Sequence, residues 1–220
     1  MNITFEQIKS NEDIKVYITK ADESLKALGY TEHSFAHVGK VSSDAAYVLE
    51  TLGFDPRTVE LAKIAGYLHD IGNLVNRVDH SQSGAVMAFR ILDKLGMAAD
   101  EIATVVTAIG NHDEGTGVPV NAVAAALIIA DKCDVRRTRV RNTDPDSFDI
   151  HDRVNYSVEA SSLTITPNRA NIILELTVDD KISAVMDYFQ IFLGRMQMAK
   201  SAASSLKLAF SLVINGQRLL

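Results

Sequence analysis

The sequence predicts a mainly α protein: a helical bundle followed by a small C-terminal α+β unit whose elements come in the order ββαβ. As far as Asp131, apolar residues recur at the spacing that marks amphipathic helices. Beyond residue 160, apolar and polar residues alternate, which is typical of strands with one buried face. We therefore predict a helical domain at 1–141, a polar connector at 142–160 and a small α+β domain at 161–220.

Capping residues divide the N-terminal region into helices. The first one or two helices are predicted to end at Gly29. Thr31 is a suitable N-cap for the next helix, which would end at Gly53. That helix would carry His33 and His37 four residues apart and therefore on the same side.

The following helix carries the most informative segment of the chain. Asp55 followed by Pro56 predicts its start, with proline at the first helical position. Its last turn would present His69 and Asp70 at the inner end of an apolar face. Gly72 is predicted to close the helix as a left-handed residue. A carboxylate removed from water needs a hydrogen bond, a counter-charge or a metal, and His69 would supply a second metal ligand.

Three more helices complete the predicted bundle. Ser81 or Ser83 would cap the first of them, Asp100 and Glu101 would open the second, and Pro119 would begin the third, an apolar helix that runs to Asp131.

The C-terminal unit follows a different pattern. Alternating residues at 163–165 and 172–178 predict two strands, 180–206 a long helix, and 208–214 a further strand ended by the turn pair Asn215 and Gly216. These strands could pair into one antiparallel or mixed sheet.

Composition excludes several classes of protein. The net charge of −6 argues against a sequence-independent nucleic-acid binder, which would normally be basic. Cys133 is the single cysteine, so an intrachain disulfide is excluded and a reducing compartment is expected. The N-terminal residues lack the pattern of a signal peptide, and the longest apolar run is too short to span a bilayer. We expect a cytoplasmic protein with no membrane partner.

Imidazole and carboxylate side chains recur near the predicted helix ends, where a single bundle could direct them into one cavity. Nitrogen and oxygen donors without cysteine suit Mn, Fe, Co, Ni, Mg or Zn in open coordination. Asp70 could bridge two such ions. The candidates are His33, His37, His69, Asp70, His80, His112, Asp113 and Asp131.

Three of these motifs, in this order, resemble the HD-domain superfamily of metal-dependent phosphohydrolases over about residues 30 to 140. They are a lone His37, the pair His69 and Asp70 within Leu-His-Asp-Ile-Gly, and Asp131 within Ile-Ala-Asp-Lys. His80 and the segment around His112 further resemble the second-metal ligands of the HD-GYP branch. The resemblance implies a first ion held by His37, His69, Asp70 and Asp131, and a second held by Asp70, His80 and His112.

The sequence departs from that branch at three positions. Asp113 follows His112 where HD-GYP members have a second histidine, and His33 stands where some have a glutamate. We keep His33 among the predicted ligands, because histidine can also bind metal. Asn73 replaces a lysine that helps to bind phosphate. The resemblance therefore predicts the metal centre more strongly than it predicts a cyclic dinucleotide substrate.

The function implied is hydrolysis of a phosphate mono- or diester, such as a nucleotide, by metal-activated water. One or two divalent ions are expected, with Fe or Mn favoured over Mg, Co, Ni or Zn. Asp70 and Asp113 are the predicted catalytic residues. Lys132, Arg136 and Arg137 are the predicted contacts of a small phosphorylated substrate.

Other interpretations stay open at this point. The basic group at 136–141 would instead be a solvated face if it pairs with Asp144, Asp146 and Asp149. A di-iron oxygenase or a non-catalytic metal- or nucleotide-binding sensor would use the same His and Asp cage. In the main interpretation, the C-terminal unit is expected to bind a regulator or to form a homodimer.

Overall fold

The computed structural model describes residues 3–220. Within this range it contains nine α-helices and three short 3₁₀ turns, the latter at Ile71–Leu74, Arg137–Arg139 and Pro145–Ser147. The helices are α1 Phe5–Ser10, α2 Glu12–Ala27, α3 Phe35–Leu52, α4 Pro56–Leu68, α5 His80–Leu95, α6 Ala99–Gly110, α7 Ala122–Lys132, α8 Ile150–Ser157 and α9 Val185–Ser205. The predicted fold class, a helical bundle with a small C-terminal α+β part, is confirmed.

One mixed sheet forms the C-terminal part. Its strands are β1 Val158–Ile165, β2 Asn171–Val178, β3 Ala209–Ile214 and the short β4 Gln217–Arg218, in the order β1-β2-β3-β4. The β1–β2 and β3–β4 pairs are antiparallel, whereas β2 and β3 are parallel because α9 crosses over between them. Asn215 and Gly216 form the last turn with φ values of 51° and 77°, as the turn pair predicts.

Helix α7 lies at the centre of the protein and positions the site. Every residue from Val123 to Lys132 is buried, because α3, α4, α6 and α9 all pack against this helix. A helix that is apolar on all sides has this position in a large bundle. Its last turn consequently carries Asp131 into the interior.

The predicted N-cap of α3 is wrong. The helix begins at Phe35 after Ser34, so His33 precedes it and does not share its face with His37. Distant hydrogen bonds hold this stretch in place: the backbone N–H of Glu32 donates to the carbonyl of Arg139 (2.8 Å), and that of His33 donates to Asp22 (2.9 Å).

Other predicted boundaries also shift. Helix α7 begins at Ala122 and not at Pro119, because the side chain of Asn121 accepts the backbone N–H of Ala124 at 2.8 Å. The predicted connector at 142–160 contains α8 and the start of β1, and α9 begins at Val185. Helix α9 packs on α7, so the two predicted domains share one apolar core. The division of the chain at 141 and 161 stays a prediction.

Candidate metal centre

Six side chains from five helices and the residues that follow them converge inside the bundle, each no more than 6% exposed. Their nitrogen and carboxylate oxygen atoms form three overlapping groups, in each of which the atoms lie within 4.8 Å of one another. The six are His37 in α3, His69 and Asp70 after α4, His80 at the start of α5, His112 after α6 and Asp131 in α7.

Asp70 connects two pairs of histidines. Its Oδ2 lies 3.4 Å from Nε2 of His37 and 3.2 Å from Nε2 of His69. Its Oδ1 lies 3.4 Å from Nε2 of His80 and 3.9 Å from Nε2 of His112. We call the side of His37 and His69 the first subsite, and the side of His80 and His112 the second subsite.

The histidine rings are oriented as metal ligands are. Nδ1 of His69 donates to the carbonyl of Gly66 at 2.8 Å, and Nδ1 of His112 donates to the carbonyl of Ile109 at 2.6 Å. Such bonds fix the tautomer and leave the Nε2 lone pair directed at the centre. Nε2 of His69 is buried without a hydrogen-bond partner among the described residues. A divalent cation would satisfy this atom, so the donor set fits a metal.

A buried carboxylate supports the other ring of the first subsite. Asp134 accepts the Nδ1 proton of His37 at 2.7 Å, while Nε2 of His37 faces the cluster with no hydrogen-bond partner in the described part of the chain. Oδ1 of Asp131 lies 3.4 Å from the same Nε2. Burial and Arg139 lower the pKa of His37, but hydrogen bonds to the surrounding aspartates outweigh them and raise it to about 9. The ring is therefore embedded in negative charge.

The ionisation states also suit a cation. Burial would raise the pKa of Asp70, but His69 and other neighbours hold it well below its usual value. Burial likewise opposes the ionisation of Asp131, yet the adjacent Lys132 and the histidines keep its pKa low. Burial is the main reason that the pKa of His112 lies well below 6.5. Ionised carboxylates and neutral imidazoles are the forms that bind metal, so His37, whose pKa is raised, would have to release a proton when a cation binds.

A different group faces the second subsite. Nη1 of Arg77 lies 3.3 Å from Nε2 of His80, and the guanidinium covers the ring of Tyr30 at 5.5 Å. Nε2 of His80 also lies 3.1 Å from Nε2 of His112. A positive charge is therefore already close to these two nitrogens.

Gly72 is required for close packing and not, as predicted, for a left-handed helix end. It lacks a positive φ and lies inside the 3₁₀ turn Ile71–Leu74, which follows Asp70. A Cβ at Gly72 would lie 2.0 Å from the carbonyl oxygen of His80 and 2.4 Å from the backbone nitrogen of Gly84. The close approach of these two backbones brings His80 to Asp70.

Asn73 orients the shared carboxylate. Its Nδ2 donates to the carbonyl oxygen of Asp70 at 2.9 Å and to Oδ1 of Asp70 at 3.0 Å. Because the side chain is buried, its position suits the alignment of Asp70 and not contact with a substrate.

His33 lies beside the cluster and not within its three groups. Its Nδ1 is 2.7 Å from the carbonyl oxygen of Thr31, and its ring packs edge-on against His37 with centroids 5.3 Å apart. It lines the cavity described below, and its role as a ligand stays a prediction.

A cavity of about 320 Å³ opens onto Asp70, His80 and Asp131. Of the predicted catalytic and substrate-binding residues, Asp70, Asp113 and Lys132 line it. Oδ1 of Asp113 lies 4.0 Å from Nε2 of His80, and its side chain is about one-third exposed. The basic residues on the cavity wall are Arg77, Lys132, Arg139 and Arg195.

Neither Arg136 nor Arg137 lines this cavity, and their role as substrate contacts stays a prediction. Arg136 donates to Asp134 at 2.9 Å and to Glu32 at 3.1 Å, so it supports the carboxylate that orients His37. Arg137 covers the ring of Tyr156 at 4.7 Å. Their charges are used inside the protein.

Two residues of the site were absent from the prediction. Asp134 could have been found as an acid only three residues after Asp131, although it lies beyond the end of α7. Arg195 could not, because it belongs to α9 and meets Asp131 only through the tertiary fold.

Two known proteins are similar to parts of this chain. An uncharacterized protein of Methanocaldococcus jannaschii is 26% identical in an alignment that covers 72% of this chain and 68% of that protein. The crystal structure of a predicted HD superfamily hydrolase from an uncultured Thermotogales bacterium is 25% identical, covers 56% of this chain and 67% of its own, and superposes with a TM-score of 0.45.

Among residues 3–220, no helix combines the length and apolar character that a membrane crossing requires.

The added likeness to the HD-GYP branch stays a prediction. The HD-domain family model matches residues 34–136, just under half of the chain, and this stretch contains all six converging side chains.

Proposed function

We propose that this protein is a metal-dependent phosphohydrolase that cleaves a small phosphate ester with water. The observation that carries the proposal is the position of Asp70, whose two oxygens face separate pairs of histidine nitrogens. A carboxylate so placed can bridge two ions, as in two-metal hydrolytic sites. The match of residues 34–136 to the HD-domain model supports the same conclusion.

The donor set suits one or two divalent ions, with iron or manganese favoured and magnesium, cobalt, nickel or zinc compatible. When bound, such ions activate water and stabilise the negative charge that develops on phosphoryl oxygens. His37, His69, Asp70 and Asp131 would hold one ion, and Asp70, His80 and His112 would hold the second.

The chain supplies a proton acceptor at the cavity. Asp113 lies beside His80 with its carboxylate partly exposed, so it can accept the proton that the attacking water releases. A nucleophilic side chain is disfavoured, because burial raises the pKa of the single cysteine, Cys133, and keeps it protonated. The proposed reaction is direct hydrolysis.

The size of the cavity limits the substrate. A volume of about 320 Å³ is at the lower end of the range for sites that enclose a small molecule. A phosphate monoester or a single nucleotide suits this volume better than a cyclic dinucleotide does.

The test combines metal analysis with a panel of phosphate mono- and diesters. We expect protein purified without added ions to contain metal and to release phosphate from at least one ester. Asp70→Ala should lower turnover by about a thousandfold or more, because both subsites lose a ligand. Asp93→Ala, on the exposed face of α5, is the matched control and should retain activity.

Two results would contradict the proposal. Bound iron with consumption of O₂ and no phosphate release would indicate an oxygenase. Metal or nucleotide binding without turnover of any ester would indicate a sensor.

A further inference from the structure

A buried lysine and a partly buried arginine from distant parts of the chain meet at the wall of the cavity. Lys132 ends α7, and its side chain is 5% exposed. Arg195 lies in the middle of α9, and its side chain is 15% exposed. Burying a positive charge is costly unless it has a partner, so the groups that neutralise these two cations are informative.

One carboxylate contacts both cations. Oε1 of Glu114 lies 3.5 Å from Nζ of Lys132 and 3.3 Å from Nε of Arg195. Glu114 belongs to the turn after α6, and its side chain is 45% exposed. A partly exposed acid therefore reaches from a surface turn onto one buried and one partly buried cation.

The contact with Glu114 does not satisfy all the N–H donors of Lys132 and Arg195. Nε of Arg195 is buried, yet it has no hydrogen-bond partner within residues 3–220, because the carboxylate of Glu114 is poorly aligned with it. Lys132 also pairs with Asp131 at 2.8 Å, but Asp131 is one of the candidate metal ligands. A tetrahedral anion with several oxygens could accept bonds from both cations at once.

We propose that Lys132 and Arg195 form the binding site for the phosphoryl group of the substrate, and that the carboxylate of Glu114 occupies this site until the substrate displaces it. The inference deepens the proposed function and rests on it for the identity of the anion. It also gives the C-terminal part a direct role, since α9 supplies half of the site.

A purely structural ion pair is the competing explanation. Nη2 of Arg195 donates to the carbonyl oxygen of Asp131 at 3.1 Å, and the guanidinium packs on the ring of Phe192 at 5.0 Å. Both contacts attach α9 to α7. A structural role predicts that replacing Arg195 lowers the melting temperature and leaves anion affinity unchanged in the folded protein.

The experiment measures the affinity for inorganic phosphate by isothermal titration calorimetry, on chelator-treated and on manganese-loaded protein. The variants are Arg195→Gln and Glu114→Gln, with Arg90→Gln on the exposed face of α5 as the control. We expect Arg195→Gln to weaken phosphate binding about tenfold or more, because a charged hydrogen bond is lost. Glu114→Gln should strengthen it by about fivefold, because a competing negative charge is removed. Arg90→Gln should match the wild type.

The outcomes separate this inference from the proposed function, since phosphate binding requires no turnover. The expected pattern in either form of the protein supports the anion site even if no ester is hydrolysed. Unchanged phosphate affinity in both variants, or no phosphate binding in either form, overturns it even if the wild type is an active phosphatase. With an active wild type, Arg195→Gln should raise KM more than it lowers kcat, and Arg195→Lys should restore KM in part.

Discussion

The two subsites that share Asp70 differ in what lies behind their histidines. In the first subsite, His37 is held by the buried carboxylate of Asp134, which Arg136 supports in turn. In the second subsite, His80 is approached by the guanidinium of Arg77 at 3.3 Å. A carboxylate behind an imidazole raises its basicity as a ligand, whereas a nearby cation opposes the arrival of another. We therefore expect the first subsite to bind its ion more tightly and the second to exchange more readily.

The largest effect on the difference in affinity between the subsites should come from removing the charge of Asp134, which supports His37 in the first subsite. Asp134→Asn keeps the size of the side chain but removes the charge that orients His37. We expect the affinity for the tightly bound ion to fall about 10- to 100-fold, as loss of a ligand's supporting partner typically does. Competition between manganese and a metal-binding dye would measure this.

The matched comparison is Arg136→Gln, which removes a hydrogen bond to Asp134 but keeps its carboxylate. It should lower the metal affinity by a smaller factor. If Asp134→Asn weakens only the more loosely bound ion, the assignment of the two subsites is reversed.

Gly72→Ala should distort the second subsite and leave the first intact. The added Cβ would meet the backbone of His80 and Gly84, so the start of α5 must move away from Asp70. We expect a loss of about 1–3 kcal/mol in the free energy of unfolding and loss of the second ion alone. Denaturant unfolding and metal counting after dialysis would report the two effects.

Gly194→Ala is the control, because a Cβ there meets no atom within 4 Å. It should leave the metal content unchanged and stabilise α9 by about 1 kcal/mol or less. Retention of both ions by Gly72→Ala would show that this close approach does not position His80.

Arg77→Gln should have the opposite effect on the second subsite and increase its affinity for metal. Removing the positive charge next to Nε2 of His80 is expected to strengthen binding of the second ion by about fivefold. The first ion should be unaffected. A titration of metal-depleted protein with manganese, followed by electron paramagnetic resonance, resolves the two events. Weaker binding of the second ion would instead mean that Arg77 helps to build the subsite.

The smallest effect belongs to an ion pair outside both subsites. Glu101 accepts two hydrogen bonds of 2.6 Å from Arg57, and chiefly for this reason its pKa is lowered from 4.5. The pair stabilises the fold above pH 4.5, and this contribution is lost as the pH falls through the lowered pKa. Glu101→Gln should cost about 1 kcal/mol or less at pH 7 and less still in acid.

Metal content is the control measurement for this variant, because Glu101→Gln should still bind both ions. An equal loss of stability at pH 7 and at pH 3 would show that the charge of Glu101 is not what stabilises the pair.

Local patterns in the sequence predicted most of the helices and the candidate site. Asp55 caps α4 as expected, and six of the candidate ligands converge. These features depend on short-range spacing and on the chemistry of single residues. The start of α3 was mispredicted because Glu32 and His33 form hydrogen bonds to residues far away in sequence, which local propensity cannot register.

The residues that line the cavity were harder to predict for the same reason. A cluster of arginines in the sequence does not show which way each side chain points, and the structure places Arg136 beside Asp134 and Arg137 over the ring of Tyr156. Arg195 reaches the cavity only because α9 packs on α7. The sequence around Arg195 indicates only a basic residue in a long helix and gives no sign that it reaches the cavity.

The central position of α7 has a consequence for synthesis. Asp131 lies in its last turn, and Arg195, which closes over this turn, comes 64 residues later in the chain. In a nascent chain, α3, α4 and α6 could pack on α7 first, and the side of α7 that faces α9 would stay exposed until α9 emerges. We therefore expect stable capture of the metal to follow docking of α9.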